Sequence, residues 1–206
     1  MITLAIDFSS ERRSVAVTDH AEREGTAWVD DRRTGALTLV RQALDAAGIA
    51  RDEVRLIAVG LGPGSYTGIR SAIALAQGWQ LATGLRLAGV SSVEVMARSI
   101  VANGDFTICV DAQRGEFYRA DYRRTGDELE VTTPLMLVAA ESLTAAGRVF
   151  SPDVGRLPEG SERLHPDPLI LARLADSGPF VEAEELEPVY LREVEFKKAP
   201  PAREIH

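Results

Sequence analysis

Residues 56 to 70 read Leu-Ile-Ala-Val-Gly-Leu-Gly-Pro-Gly-Ser-Tyr-Thr-Gly-Ile-Arg. An apolar strand runs into a turn built from four glycines and a proline, and an alanine-rich helical pattern follows to about Thr83. Glycine lets the backbone turn sharply and lets another surface come close, because no side chain intervenes. Pro63 stiffens the turn, and Ser65 or Thr67 can cap the helix, whose unpaired N–H groups then point outward. Such a loop suits a phosphate or a docking partner, and a ligand-free strand-to-helix connection accounts for the same glycines. It is not a Walker A sequence, since no Gly-Lys-Ser/Thr follows, and it lacks the Rossmann spacing.

Upstream, residues 2–7 read as a buried first strand ending in Asp7, with a second strand over 13–18 and a third over 23–29. A helix fits 36–47, with Leu37, Val40, Leu44 and Ala47 on one face and Gly48 as its stop. Downstream of the loop helix come a short strand over 87–90 and a third helix from Ser91 or Ser92 to about Val101. Three antiparallel strands, then helix, strand, helix, strand, helix, is the order of an actin/Hsp70/sugar-kinase-type half. The expected fold is therefore a two-lobed α/β fold of that class with mixed sheets. The lobes divide at 1–103 and 104–206, the second being reduced. In the second half, strands are expected over 106–110 and 116–122 around an Asp111–Gly115 hairpin turn, and another over 129–137 broken by Pro134. Residues 151–168 read as irregular surface, 169–175 as a short helix, and the segment after Arg192 as a frayed tail.

The chain has 206 residues and a formal charge of −8, from 31 acidic and 23 basic side chains. That balance argues against this chain gripping nucleic acid unaided, because such binding rests on neutralising phosphates. Arg12-Arg13, Arg32-Arg33 and Arg123-Arg124 read as solvated surface. The one cysteine, Cys109, lies in an apolar run and reads as a core residue. Residues 1–8 do not form a signal peptide, and no apolar stretch approaches the roughly 20 residues of a membrane span, so a cytoplasmic protein is expected.

The residues for catalysis are sparse. His20, His165 and His206 are scattered, with no helical i, i+4 pair to hold a metal. Ser65 lacks the Gly-x-Ser-x-Gly of a hydrolase elbow, since position 67 is Thr. Asp7 stands where an actin-type ATPase places a magnesium-associated carboxylate. It is followed, however, by Phe8-Ser9-Ser10 rather than a glycine-containing phosphate turn, and a capping carboxylate explains it equally well. Candidate phosphate or nucleotide contacts are Asp7, Ser9, Gly62, Gly64, Ser65 and Gly68.

Four segments resemble the bacterial TsaB (YeaZ) family. They are Leu-Ala-Ile-Asp-Phe-Ser-Ser at 4–10, Gly-Pro-Gly-Ser-Tyr-Thr-Gly-Ile-Arg at 62–70, Asp-Ala-Gln-Arg-Gly-Glu-Phe-Tyr at 111–118 and Pro-Val-Tyr-Leu-Arg at 188–192. The resemblance runs in order over almost the whole chain. It implies a non-catalytic scaffold subunit of the complex that forms N6-threonylcarbamoyladenosine at position 37 of tRNAs. It also implies pairing with a TsaD-type catalytic paralogue, recruitment of a TsaE-type ATPase and contact with tRNA only through the complex. On this reading the chain alone binds no cofactor, while ATP and a metal ion serve the complex. The family's first helix opens with a His-Ser-Glu-like stretch, whereas residues 33–37 here are Arg-Thr-Gly-Ala-Leu. The loop helix carries small residues at 72, 74, 76, 78 and 82, which permit close helix packing, and more apolar side chains than one face needs. The expected partner interface is Thr67, Ile69, Arg70, Ile73, Ala74, Ala76 and Gln77, through which the isolated chain can also form a homodimer. The competing readings are a metallopeptidase-like (glycoprotease-type) enzyme and an actin-like small-molecule kinase.

Overall fold

The computed structural model describes residues 1–31, 33–189 and 191. Arg32, Tyr190 and the tail from Arg192 onward lie outside it, and with them part of the Arg32-Arg33 pair and of the Pro188–Arg192 segment.

Two five-stranded sheets share one plan. In the first, β1 (Thr3–Asp7), β2 (Arg13–Thr18) and β3 (Glu24–Val29) form an antiparallel meander, and β4 (Leu56–Gly60) and β5 (Arg86–Val90) add in parallel on the other side of β1. In the second, β6 (Gly104–Gln113), β7 (Glu116–Thr125) and β8 (Glu128–Ala139) repeat the meander, and β9 (Arg148–Ser151) and β10 (Glu162–Arg163) repeat the parallel extension. This repeat, order 3-2-1-4-5 twice over, is the actin/Hsp70/sugar-kinase-like plan that the element order implied.

Residue alternation along the strands decides which helix covers which face. Leu4, Ile6, Val15, Val17, Ile57, Val59 and Leu87 face α1 (Ala36–Ala47) and α2 (Tyr66–Thr83). On the opposite face Ala16, Ala5, Ala58 and Ala88 lie side by side across β2, β1, β4 and β5. This row of methyl groups is a shallow floor on which α4 (Pro168–Ser177) rests through Leu171, Ala172 and Ala175. Helix α3 (Ser92–Ser99) lies between the two cores. Its Val95 joins the α4 cluster, and Val93, Met96 and Ala97 pack on Phe106, Ile108 and Phe150 of the second sheet.

Several expectations are corrected here. A division at residue 103 places α4 with the second lobe, but its apolar face is buried on the first sheet. Residues 181–189 return there too, with Val181 N–H bonded to the Leu87 carbonyl, Val189 N–H to that of Leu61, and Leu186 buried. Strand β8 runs through Pro134 to Ala139 with register shifts against β7, because an edge strand can leave proline's side unpaired. Strand β9 was not expected at all, and β10 interrupts the stretch read as irregular. Where the first sheet has crossover helices, the second has only short connections over 140–147 and 152–161, which is how the second lobe is reduced.

Leu171 fills the space above the alanine row and is fully buried. Leu171→Ala is expected to cost about 2–5 kcal/mol, read as a lowered urea midpoint, because the alanine floor has no side chain able to collapse into the void. A loss below about 1 kcal/mol would show that α4 is not part of this core.

Candidate functional site

Strand β4 delivers the chain to the glycine-rich turn directly above the end of β1, and the turn is tied down on three sides. Leu61 N–H bonds the Val90 carbonyl at 2.9 Å, Ser65 N–H bonds the Ser9 carbonyl at 2.7 Å, and Ser92 N–H bonds the Gly62 carbonyl at 2.9 Å. The Gly62–Pro63 peptide is cis. Ser65 caps α2, its hydroxyl accepting from Gly68 N–H at 3.3 Å, as one of the two hydroxyls expected there does. Gly68 packs so tightly on the Phe8 carbonyl that any side chain at this position would overlap it.

Beneath the turn sits Asp7. Its Oδ1 accepts from the Ser9 N–H at 2.8 Å and the Ser9 hydroxyl at 2.6 Å, and its Oδ2 accepts from the Ser92 hydroxyl at 2.6 Å. The Ser92 oxygen in turn accepts from Gly62 N–H at 3.0 Å. A side chain at Gly60 would run into the Asp7 carboxylate. Burial pushes the Asp7 carboxyl above its ordinary range against the pull of these three donors. Asp7 is therefore a structural clamp and not a ligand contact, which corrects its place among the nucleotide candidates. Gly62 is likewise buried, and the Ser9 hydroxyl is committed to Asp7.

A cleft of about 660 Å³ separates the lobes, lined on one side by Ser9, Glu11, Gly64 and Ser65 and on the other by Asp111, Arg114 and Tyr118. Of the six expected contacts, Ser9, Gly64 and Ser65 line it, and Gly68 opens on a smaller adjoining hollow. The Glu11–Arg163 ion pair at 2.5 Å and the Ser10–His165 contact at 3.2 Å tie the lobes together beside it. Ser10 donates to the Arg12 carbonyl at 2.9 Å, so its proton is not offered to His165. Burial, with Arg12 nearby, pushes the His165 imidazole below its ordinary value. Cys109 is buried and its thiol is pushed up to about 12, which leaves no thiolate for nucleophilic chemistry near neutral pH. Among the described residues no group of three His, Cys, Asp or Glu side chains is placed to hold a metal, and no helix is long and apolar enough to cross a membrane.

Helix α2 divides its residues between two jobs. Ile69, Ala72, Ile73, Ala76 and Trp79 are buried on the first sheet. Ile69, Ile73 and Ala76 are therefore core residues and not the partner contacts expected of them, because the 3.6-residue period turns them toward β4 and β1. Gln77 is half-buried and donates to the Ala183 carbonyl at 2.7 Å. Thr67, Arg70 and Ala74 do face outward, in line with Ser71, Gly78 and Leu81, the last 90% exposed. Beside this stripe a groove of about 600 Å³ runs between α2 and α1, lined by Leu37, Val40, Leu44, Ala74, Leu75 and Gly78. Leu37 is 67% exposed although its spacing placed it on the core face of α1, since Leu39 takes that role. Sequence reading placed exposed apolar surface on α2 alone and missed the share of α1 in this groove. The signal was present in Leu37 and Leu39 together, one more leucine than a single face requires.

The doubled sheet plan and the glycine-rich loop define a two-lobed protein of the actin/Hsp70/sugar-kinase-like class. A family model described as TsaD, tRNA N6-adenosine threonylcarbamoyltransferase, matches residues 33–166. The tRNA threonylcarbamoyladenosine biosynthesis protein TsaB of Escherichia coli is 31% identical, the match covering 97% of this chain and 99% of that protein. Two solved structures from Pseudomonas aeruginosa superpose over almost their whole length. One, described as an uncharacterized protein with similarity to peptidase YEAZ, has a TM-score of 0.77 at 31% identity and covers 93% of this chain and 99% of its own. The other, YeaZ, has a TM-score of 0.75 at 30% identity and covers 92% of this chain and 99% of its own. This chain belongs to the TsaB (YeaZ) family.

Asp7→Asn replaces one acceptor oxygen of the clamp by an amide donor and is expected to cost about 1–3 kcal/mol of stability. The pH dependence carries the sign of the raised Asp7 pKa. The native state keeps the Asp7 proton to higher pH than the unfolded chain does, so the stability Asp7 supplies falls as pH rises through its native pKa. The gap in urea midpoint between wild type and Asp7→Asn should narrow from acid to neutral pH. A widening gap would mean that the three donors outweigh burial.

Proposed function

We propose that this chain is a non-catalytic subunit of the assembly that makes N6-threonylcarbamoyladenosine on tRNA in the cytoplasm, and that it supports a TsaD-type catalytic paralogue by docking through α2 and α1. The observation that carries this reading is the exposed face of α2. Thr67, Ser71, Ala74 and Gly78 form a stripe of small residues beside an apolar groove with Leu37 and Leu81 open at its margins. A partner helix laid along small residues can approach at the short end of the roughly 8–10 Å interaxial range, bringing its side chains into the groove. The chemistry of the chain's own groups supports the non-catalytic part. Asp7 is consumed by the clamp, Ser65 by the helix cap, and Cys109 is held as a buried thiol. The relatives' names supply the pathway. The TsaE-type ATPase, ATP and a metal ion belong to the remaining subunits, tRNA is reached through the complex, and the isolated chain pairs with itself through the same face.

Ala74 is exposed, so Ala74→Glu should leave the thermal melt of the free chain unchanged. Buried unpaired in the interface, the new carboxylate costs several kcal/mol. Co-purification or calorimetric affinity for the TsaD-type subunit should then fall on the order of a hundredfold or more. Undiminished pairing by the folded variant would exclude this face. A shift assay should also show the free chain binding tRNA only weakly at physiological salt, because its charge is −8. Tight, steeply salt-dependent binding would assign RNA contact to this chain itself.

A further inference from the structure

A glycine in the interior of a helix weakens it relative to alanine, so its presence there calls for a reason. The chain's other glycines have one. Each holds a positive φ, or has an atom within 3.3 Å of where a Cβ would stand, or, at Gly35, occupies the N-cap of α1. Gly78 has none of these. It lies in the interior of α2, and a Cβ at this position would meet nothing within 4 Å. Nothing among the described residues accounts for this glycine.

Its surroundings point outside the chain. Ala74, Gly78 and Ala82 are neighbours along one i, i+4 row of α2 and all are exposed, so the row is flat. Leu81, 90% exposed, borders the row on one side, and Leu75 borders it on the other, where the groove of about 600 Å³ opens toward Leu37 of α1. From Ser71 to Thr83 the helix carries no charged side chain, although 26% of the chain's residues are charged. Such a strip fits an uncharged partner surface, because a charge pressed on it would lose water without gaining a counter-charge. With no Cβ at Gly78, two helix backbones can meet at the short end of the roughly 8–10 Å interaxial range, where a methyl group would hold them apart.

We infer that Gly78 is the crossing point of the docked partner helix. That helix presents a face without charge, with a small residue of its own against Gly78 and apolar side chains toward the groove and Leu81. This rests on the docking reading of α2 and α1, and adds the point of closest approach and the chemistry of the helix that meets it. Gly78 then acts in opposite directions on the two states of the chain, weakening α2 when it is free and permitting contact when it is bound.

Gly78→Ala tests both directions at once. The free variant should melt about 2–4 °C above wild type, because alanine is the better helix former and its methyl group meets open space. Its calorimetric affinity for the TsaD-type subunit should fall about tenfold, the loss expected of overpacking a close contact. Gly78→Leu, which is also a good helix former, should not lower the melt and should pair more weakly still. A lowered melting temperature for Gly78→Ala would show that the glycine serves the chain's own fold, and would overturn the inference. So would undiminished pairing by the folded Gly78→Ala variant. Ala74→Glu separates this from the docking reading beneath it. If Ala74→Glu pairs poorly while Gly78→Ala pairs as wild type, the docking face stands and the crossing point fails. If both pair as wild type, the docking face is excluded and the crossing point with it.

Discussion

A single buried carboxylate holds together the three parts of the molecule that matter most. Asp7 ends the first strand, accepts from both Ser9 donors and from the Ser92 hydroxyl, and through Ser92 reaches Gly62. Strand β1, the glycine-rich turn and the start of α3 are thereby fixed to one another. Taking a carboxylate out of water is costly, and burial here shifts its pKa upward in spite of three donors. The arrangement persists because removing any partner would strand a buried polar group, which costs more than the bond itself contributes. Here the glycine at 60 lets the loop close down on the carboxylate, and the site becomes a joint.

That joint sets the direction of α2. The helix starts where Ser65 is anchored to the Ser9 carbonyl and Gly68 is seated on Phe8. Its rotation about its own axis then follows from the burial of Ile69, Ile73, Ala76 and Trp79. Once those four are inward, Thr67, Ala74, Gly78 and Leu81 have no choice but to face out. The exposed stripe of small residues is a consequence of core packing on the other side of the same helix. The strap at 181–189, held by Val189 on Leu61 and by Gln77 on Ala183, secures the turn and the helix from above.

The second lobe shows what happens when the same plan loses its crossover helices. The outer face of its sheet carries a polar network where the first sheet has apolar contacts. Thr107 donates to Asp121 at 2.7 Å, and Arg119 pairs with Asp121 at 2.6 Å. Thr107 and Asp121 are buried, under the 140–147 connection whose Ala146 N–H donates to the Thr107 hydroxyl, so the polar face is satisfied without a covering helix. The first sheet is covered by helices on both faces, and the second closes the cleft.

The sequence by itself determined the elements and their order. Periodicity placed β1 to β5 and α1 to α3 within a residue or two, since hydrophobic spacing is a local property of each segment, and the glycine, serine and proline signals marked the loop and its cap. The roles of particular side chains were decided only by tertiary structure. Asp7 reads identically as a ligand contact or a clamp until Ser92, 85 residues away, is seen to donate to it. Ile69 and Ala76 read as docking residues until the direction of β4 under α2 sets which face is inside. The two-residue β10 and the return of α4 to the first sheet depend on contacts between distant segments, which leave no periodic mark.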